Sequence, residues 1–537
     1  MKPHVPKAFC SVSLGLVLFA VCLLRAQDHS GFDIVITNGH IIDGTGSPWY
    51  SGDLGIRDGK VTAIGNLSAS PRKRTIDTAG KVVAPGFIDM LGQSEYTILV
   101  DPRLPSKIFQ GITTEITGEG NSIAPLNDAI IQSDRSDYEH YHITPDWRNF
   151  RQYFARLEKQ GMGINLASYV GATQVRRMVL GDDNRQPTPQ QLDQMKSLVG
   201  DAMKDGTVGV SAALEYAPAP FAKTEELIAL AAEGGKFGGI YSTHMRNESD
   251  SVLDAIDEAL RIGREAHVPV EIWHLKVAGK NNWGRMPEVV AKINAARASG
   301  TDVTADTYAY TAWFNDFSAF IPPWAHDGGT AKLVERLKDP ATREHIRKDM
   351  LTPSRDWDNE WQEIPGPEAV MIGVVQNPKL LPLQGMRLSE IAKLWGKDPI
   401  DTLFDFLIKD PSAASPFSAC RNRMSRSRCS SLGFPSITIL PELPLKASWD
   451  RSTLTPVPME LSRESFASMF AKRESLLLKT LSARCLHCPH NACALPIAAF
   501  SKLVCGPISS SSTPLPSVIS PPSTTPINSP KEWNMCW

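Results

Sequence analysis

The chain has 537 residues, of which 42% are hydrophobic and 21% are charged, and its formal net charge is −2 at pH 7. This length is ample for a large core and a second domain. A charge so close to zero gives no electrostatic case for nucleic acid as a partner.

The N-terminus has the features of an export signal. Lys2 and Lys7 precede an apolar run at residues 12–24, and Ala26 offers a small residue for cleavage. The run is short for a membrane span, so residues 1–26 are predicted to be a secretory signal peptide. We therefore expect an exported protein, periplasmic or secreted, without a stable membrane anchor.

Residues 27–82 predict the first part of a small β domain. Short alternating apolar runs are separated there by the turn signals Asn38-Gly39 and Asp58-Gly59. Residues 81–90, KVVAPGFIDM, then lead into a different pattern.

Strands and helices alternate across the predicted second domain, residues 83–411. The candidate buried strands are 83–90, 112–117, 164–170, 207–213, 238–244, 268–274 and 302–308. Helical patterns follow most of them, for example at 224–233 and 252–265. Apolar strands alternating with helices indicate a parallel α/β sheet, and seven strands fit an almost complete eight-stranded βα-barrel. An open doubly wound sheet is the alternative, but the sequence carries no Gly-rich dinucleotide fingerprint to support it.

Residues 120–160 form a polar and aromatic insertion that contains His140 and His142. An insertion after a barrel strand often covers a site, whereas a solvated loop would contain the same residue types. We interpret these two histidines as loop residues.

Two histidines 30 residues apart, His244 and His274, each close a short β-branched apolar run. That interval is about one βα repeat of roughly 30 residues, so the imidazoles are predicted to lie side by side at the carboxyl ends of adjacent strands. Paired imidazoles at that face suggest a metal ion that activates water. Two buried structural histidines would leave the same pattern.

The composition changes in residues 412–537. Residues 420–430 read CRNRMSRSRCS, and residues 506–530 are mostly Ser, Pro and Thr. This composition predicts a tail with little ordered structure. A more specific interpretation is that the coding frame changes near the start of this segment. Seven of the nine cysteines lie at or beyond Cys420, so the body of the protein is predicted to be free of disulfides.

Several stretches resemble the D-aminoacylase, or N-acyl-D-amino-acid deacylase, family of the amidohydrolase superfamily. They include DIVITNGHIIDGTG, VVAPGFID, SKIFQGITTEITGEG, GTVGVSAALEYAPAPFA, GGIYSTHMRNES, EIWHLKVAG and DVTADTYAYTAW, and they run in family order over roughly three quarters of the chain. The resemblance implies a metal-dependent (β/α)8 barrel with a small β-sandwich made from both chain ends. It also implies hydrolysis of an N-acyl amide on a small-molecule N-acyl-D-amino acid or D-residue peptide.

Carried over residue by residue, His244 and His274 match the zinc-binding histidines of the family. The third family ligand is a cysteine after the second strand; the segment here reads TGEGNS, and Glu119 is the candidate to replace it. We expect one zinc ion, with a shift of preference towards oxygen-loving metals. Lys276 matches a lysine that holds the substrate carboxylate, Tyr308 matches a substrate-contacting tyrosine, and Arg246 is a weaker anion-binding candidate.

Two departures from the family pattern affect these expectations. Leu91 and Gln93 stand where the superfamily carries a histidine pair, which argues against a second ion held there. The catalytic aspartate of the family follows the eighth strand, and no matching aspartate occurs after Asp410, since Asp450 lies in a different context. Another frame through residues 459–466 recovers a Gly-Thr-Phe segment that the family carries nearby. We therefore expect the barrel to be incomplete at its eighth strand and this chain to be impaired. The alternatives are a cyclic-amide hydrolase of the dihydroorotase or hydantoinase type, and a non-catalytic exported binding protein.

Overall fold

The computed structural model describes residues 31–417, except residues 46, 309 and 311. The chain divides into two compact units, and the described parts of these are residues 31–85 and 86–417. The predicted signal peptide, the first residues of the predicted β domain and the tail beyond 417 lie outside the described residues. Within the described part of the chain, no helix combines the length and the apolar character that crossing a bilayer requires.

The first unit is one five-stranded sheet. Its strands are β1 (Phe32–Ile41), β2 (Tyr50–Arg57), β3 (Lys60–Gly65), β4 (Arg72–Asp77) and β5 (Val82–Val83). β1 pairs antiparallel with β2 and parallel with β4 and β5. As predicted, Asp58-Gly59 forms the two-residue turn between β2 and β3, with φ of 49° and 71°. Positive φ at both turn positions matches the twist of a hairpin.

The second turn signal has a different role from the predicted one. Asn38 and Gly39 lie inside β1, where the register with β2 shifts. Asn38 adopts a φ of 58°, and its side-chain amide donates to Asp77 Oδ1 at 2.9 Å. Asparagine tolerates this left-handed conformation, so the dipeptide makes a β-bulge instead of ending the strand.

The second unit is built on parallel strands in chain order. They are β6 (Phe87–Asp89), β7 (Ile112–Thr117), β8 (Asn165–Ser168), β9 (Val170–Gly171), β10 (Gly209–Ala213), β11 (Ile240–His244), β12 (Val270–Ile272) and β13 (Val303–Ala305). One sheet has the order β6-β7-β8, and the next has the order β9-β10-β11-β12-β13. Each predicted strand is present, mostly with shorter bounds. The described residues contain no further parallel strand beside β13 or β6, and closure of the barrel stays a prediction.

Helices connect the strands and cover their outer side. They are α1 (Thr97–Val100), α2 (Pro105–Ile108), α3 (Asp128–Ser133), α4 (Arg135–His140), α5 (Phe150–Gln160), α6 (Ala172–Leu180), α7 (Pro189–Asp205), α8 (Thr224–Gly235), α9 (Val252–Ala266), α10 (Met286–Ala298), α11 (Thr330–Lys338), α12 (Pro340–Leu351), α13 (Glu360–Glu363), α14 (Leu388–Trp395) and α15 (Pro399–Lys409). Short 3₁₀ turns lie at Ala219–Phe221, Lys280–Asn282, Phe317–Phe320, Pro323–His326, Pro367–Ala369 and Leu381–Leu383. The two helices predicted from their periodicity, 224–233 and 252–265, are α8 and α9.

The insertion at residues 120–160 is more ordered than a solvated loop. It contains α3, α4 and α5, and it buries Trp147 and Tyr153 completely. The Trp147 indole donates to the carbonyl of Ile123, and the Asn149 side chain caps α5. The buried aromatic side chains and the capped N-terminus of α5 stabilise this segment, although most of its residues are polar.

The chain after β13 forms a second hydrophobic cluster around Phe317, Phe320, Phe404 and Phe406. Two antiparallel strands, β14 (Trp313–Asp316) and β15 (Ala414–Phe417), pair beside it. β15 carries ordered chain past the predicted domain boundary at residue 411, and Ala413 and Ser415 are buried. The start of the predicted tail is therefore part of the fold, because its small apolar residues pack there.

Candidate metal centre

Four polar side chains follow the carboxyl ends of parallel strands in the second unit. Glu119 follows β7, Glu215 follows β10, His244 is the last residue of β11, and His274 lies two residues after β12. Parallel strands present their carboxyl ends at one face, which is where catalytic groups of βα-barrels sit. The strand order therefore brings these side chains together.

Two glycines shape the turn that carries Glu119. Gly118 and Gly120 have φ of 94° and 66°. A Cβ at Gly118 would lie 2.6 Å from the Tyr169 carbonyl oxygen, and one at Gly120 would lie 2.6 Å from the Ala213 Cβ. Both positions need glycine for conformation and for space, so the turn holds the Glu119 carboxylate in a fixed position.

The two histidines face the Glu119 carboxylate. Oε1 of Glu119 lies 3.2 Å from His244 Nδ1 and 3.4 Å from His274 Nε2. The two imidazole rings are edge to face, with centroids 4.5 Å apart. The structure thus brings together the three side chains that the sequence named as metal ligands.

Gln93 also reaches this site. Its side-chain amide donates to Glu119 Oε2 at 2.6 Å. The residue stands in the place of one of the superfamily's first-strand histidines, and it orients the carboxylate instead of acting as an imidazole ligand. Leu91 has no atom that could bind a metal.

Two further glutamates adjoin His244, and sequence reasoning missed both. Glu215 Oε2 lies 2.7 Å from His244 Nε2, and Glu248 Oε2 lies 3.7 Å from the same atom. Glu248 Oε1 lies 3.0 Å from His274 Nδ1. The available signal was position, since Glu215 follows β10 within AALEYAP and Glu248 follows His244 by four residues.

The donor set fits a divalent cation. Glu119, His244 and His274 offer ligand atoms that all lie within 4.8 Å of one another, and so do Glu215, His244 and Glu248. Imidazole nitrogens with a carboxylate oxygen are ligands that zinc accepts. Oε1 of Glu215 is buried without a hydrogen-bond partner among the described residues. Such a buried carboxylate oxygen is costly unless a cation or donor approaches it.

The electrostatics of the site reflect its crowding by carboxylates. Burial alone would lower the pKa of His244, but the adjacent charge of Glu248 and the hydrogen bonds with Glu119 and Glu215 raise it to about 10. Burial opposes ionisation of Glu119, yet its hydrogen bonds with His244 and His274 outweigh burial and hold the Glu119 pKa well below its ordinary value. Three glutamates around two histidines therefore create negative charge that a divalent cation would offset.

Lys276 also lies at the site, beside His274. β12 ends at Ile272, so Lys276 is on a loop and strand alternation does not orient it. Its ammonium lies 3.1 Å from His274 Nδ1 and forms a buried ion pair with Glu248. Burial would lower the pKa of Lys276, but the charge of Glu248 raises it well above its ordinary value.

The remaining predicted residues surround this group or turn away from it. Tyr308 follows β13 on a loop, with its ring 5.7 Å from the Lys276 ammonium and 6.4 Å from the His274 ring centroid. Tyr310 is 70% exposed. The Arg246 guanidinium makes two bonds to Glu258, at 2.8 and 2.9 Å, and others to backbone carbonyls. Anion binding by Arg246 stays a prediction, and it would compete with Glu258.

Parallel βα units with histidine and carboxylate groups at their carboxyl ends are typical of a class of proteins, the metal-dependent hydrolases built on a βα-barrel. No family model matches the chain. The D-aminoacylase of Alcaligenes xylosoxydans xylosoxydans is 37% identical over 296 residues, which are 54% of this chain and 60% of that protein.

Two solved structures extend the comparison over more of the chain. The N-acyl-D-glutamate deacylase of Bordetella bronchiseptica, complexed with zinc and a phosphonate inhibitor, superposes with a TM-score of 0.60 at 30% identity, covering 73% of this chain and 72% of that one. A D-aminoacylase superposes with a TM-score of 0.60 at 31% identity, covering 76% and 75%. The chain belongs to the D-aminoacylase, or N-acyl-D-amino-acid deacylase, family of the amidohydrolase superfamily, as its motifs predicted. It spans 56% to 60% of the length of the curated deacylases that it matches.

Proposed function

We propose that this chain is a metal-dependent amidohydrolase that hydrolyses the N-acyl amide of N-acyl-D-amino acids or D-residue peptides. The observation that carries the proposal is the convergence of Glu119, His244 and His274, whose ligand atoms all lie within 4.8 Å of one another. The named activities of the similar proteins, which are D-aminoacylase and N-acyl-D-glutamate deacylase, support the substrate class. Export to the periplasm or beyond is part of the proposal and rests on residues 1–26 alone.

Glu119, His244 and His274 would hold one zinc ion. When bound, the ion would supply Lewis-acid activation of water and of the amide carbonyl. Gln93 orients Glu119 through the hydrogen bond to Oε2, which is the kind of outer contact that strengthens a metal site. The resemblance places the family's proton-transferring aspartate after the eighth strand, and no matching aspartate occurs after Asp410 in this chain.

Lys276 and Tyr308 would position the substrate. The Lys276 ammonium is the cation beside the histidine pair, and a substrate carboxylate would compete with Glu248 for it. The Tyr308 ring centroid lies 5.7 Å from that ammonium, so Tyr308 would contact the same end of the substrate. Both assignments follow the family pattern and the positions of the two side chains.

Metal analysis of the purified full chain tests the proposal. We expect about one zinc per chain, and less than about one tenth of that in His244→Ala and His274→Ala, since each variant removes one of three ligands. His140→Ala is the matched control, because His140 is exposed on α4 and should leave the zinc content unchanged.

Hydrolysis is measured on the same preparations. Slow release of the D-amino acid from N-acetyl-D-methionine, without release from the L-isomer, supports the proposal if a chelator and His274→Ala both abolish it. Zinc content that survives both substitutions, or hydrolysis that survives the chelator, would contradict it. Hydrolysis of dihydrouracil in place of the acyl amide would support the cyclic-amide alternative.

A further inference from the structure

A cavity of about 720 Å³ adjoins the candidate metal centre. Glu215 and Tyr216 line it, and both contact His244: Glu215 Oε2 lies 2.7 Å from Nε2, and the Tyr216 ring centroid lies 4.9 Å from the imidazole centroid. The volume is in the range of small-molecule sites, so a substrate bound at the metal could extend into this cavity.

Acidic side chains outnumber basic ones in the lining of this cavity. Eight acidic and three basic side chains line it. The basic groups are already engaged: Arg177 with Asp134 and Asp182, Arg246 with Glu258, and Lys409 over the Trp395 ring at 4.1 Å. None of the three is therefore placed to neutralise the other carboxylates.

The acid that stands out is Asp316, at the end of β14. Strand alternation buries Asn315, which accepts from the Tyr216 hydroxyl at 2.5 Å, and leaves the Asp316 side chain on the opposite, exposed side. The backbone of Asp316 pairs with Ala414 of β15, but its carboxylate makes no hydrogen bond or ion pair with any residue that the structure describes. Although the side chain is open to the cavity, desolvation by the protein around it, and then the charge of Asp137, raise the pKa of the Asp316 carboxyl to about 6, so the group is ionised at pH 8.

Two other cavity carboxylates have few polar partners. Asp137, which lies near Asp316, receives one hydrogen bond from the Gln376 side-chain amide at 3.2 Å. The Glu215 side chain is only 5% exposed, and its Oε1 has no hydrogen-bond partner among the described residues. A positively charged group that enters the cavity would thus meet several carboxylates. Among the described residues that line the cavity, each basic side chain is already engaged with another group.

We propose that the substrate carries an ammonium or guanidinium group and that Asp316, with Asp137, selects it. The inference rests on the proposed deacylase function and narrows its substrate class. The cationic group could belong to the D-amino-acid side chain or to the acyl group, because the cavity recognises the charge and not its covalent origin.

Matched ligand pairs test this inference on the zinc-loaded full chain at pH 8. The first pair is N-acetyl-D-lysine and N-acetyl-D-norleucine, and the second is N-(6-aminohexanoyl)-D-alanine and N-hexanoyl-D-alanine. Dissociation constants are measured by calorimetry at low temperature, or as KM where turnover is detected. We expect the amine to bind at least about tenfold more tightly than its neutral partner in one pair, and that pair identifies the source of the charge.

Asp316→Asn should abolish this preference, whereas Asp201→Asn, an exposed carboxylate on α7, should retain it. Equal binding within both pairs, or no binding of any ligand, overturns the inference. So does a preference that survives Asp316→Asn. Hydrolysis of neutral and cationic ligands at equal efficiency would leave the deacylase function standing and remove only the charge selection.

Discussion

Glu119, as one of the three proposed ligands, would influence which metal this site prefers. A carboxylate is a harder ligand than the thiolate that the family pattern carries, so it favours metals that bind oxygen. The residue depends on its neighbours, because both glycines of its turn have positive φ and Gln93 holds its second oxygen. Metal affinity should therefore respond to changes outside the ligand set.

Gln93→Ala should weaken zinc binding by about 10- to 100-fold, since loss of an outer-sphere partner typically has that effect. Affinity is measured by competition with a chromophoric chelator. Gln110→Ala is the control, because the Gln110 side-chain amide is exposed and donates to the nearby Ser106 carbonyl at 2.8 Å. Unchanged zinc affinity in Gln93→Ala would show that Glu119 is positioned by its turn alone.

At the scale of elements, a buried ion pair joins the helices α6 and α8. Glu226 on α8 forms this pair with Arg176 on α6, at 2.6 Å, with exposures of 4% and 1%. The next-door residue Glu225 is 67% exposed and contacts Arg261 at the surface. Adjacent positions on α8 thus hold one glutamate in a buried ion pair and one in a solvent-exposed ion pair, and the two can be compared directly.

Glu226→Gln should lower the free energy of unfolding by about 3 kcal/mol, because breaking a buried pair leaves an uncompensated guanidinium. Glu225→Gln should change it far less, because a solvent-exposed ion pair contributes little to stability. Urea denaturation followed by circular dichroism measures both. Equal effects of the two substitutions would mean that Arg176 finds another partner.

Much of the element order could be predicted because the chemistry is local. β-branched apolar runs marked β7, β11 and β12, and His244 and His274 were visible as the polar residues ending such runs. The position of Glu248 at the site could not be predicted in this way. Its backbone N–H donates to Asp358, 110 positions away in the sequence, so the conformation of this loop depends on a long-range contact. The bulge at Asn38-Gly39 was missed because the same dipeptide suits a turn and a left-handed residue within a strand.

At the scale of the whole molecule, the outer strands of the parallel sheets matter most. In the part of the chain described, β6 pairs only with β7, and β13 pairs only with β12. Unpaired strand edges promote association between chains. The coding-frame hypothesis for the tail predicts that the strand needed between them is missing.

We therefore expect the chain as written to be poorly soluble and a version with the frame restored to be soluble and active. Loss of the proton-transfer group alone should slow turnover by about 10²- to 10⁴-fold. Size-exclusion chromatography and deacylase assays on both proteins provide the comparison. A soluble monomer of the present sequence with ordinary deacylase turnover would contradict the hypothesis.

His274 adopts a φ of 36°, and its backbone N–H donates to Asp306 Oδ1 at 2.5 Å. A left-handed conformation at a residue other than glycine costs about 1–3 kcal/mol. Glycine would fit this backbone with less strain, but it would remove the imidazole. Selection for heat resistance without an activity screen would therefore tend to replace His274 by glycine. At this one position, the substitution that raises thermostability would lower the metal affinity.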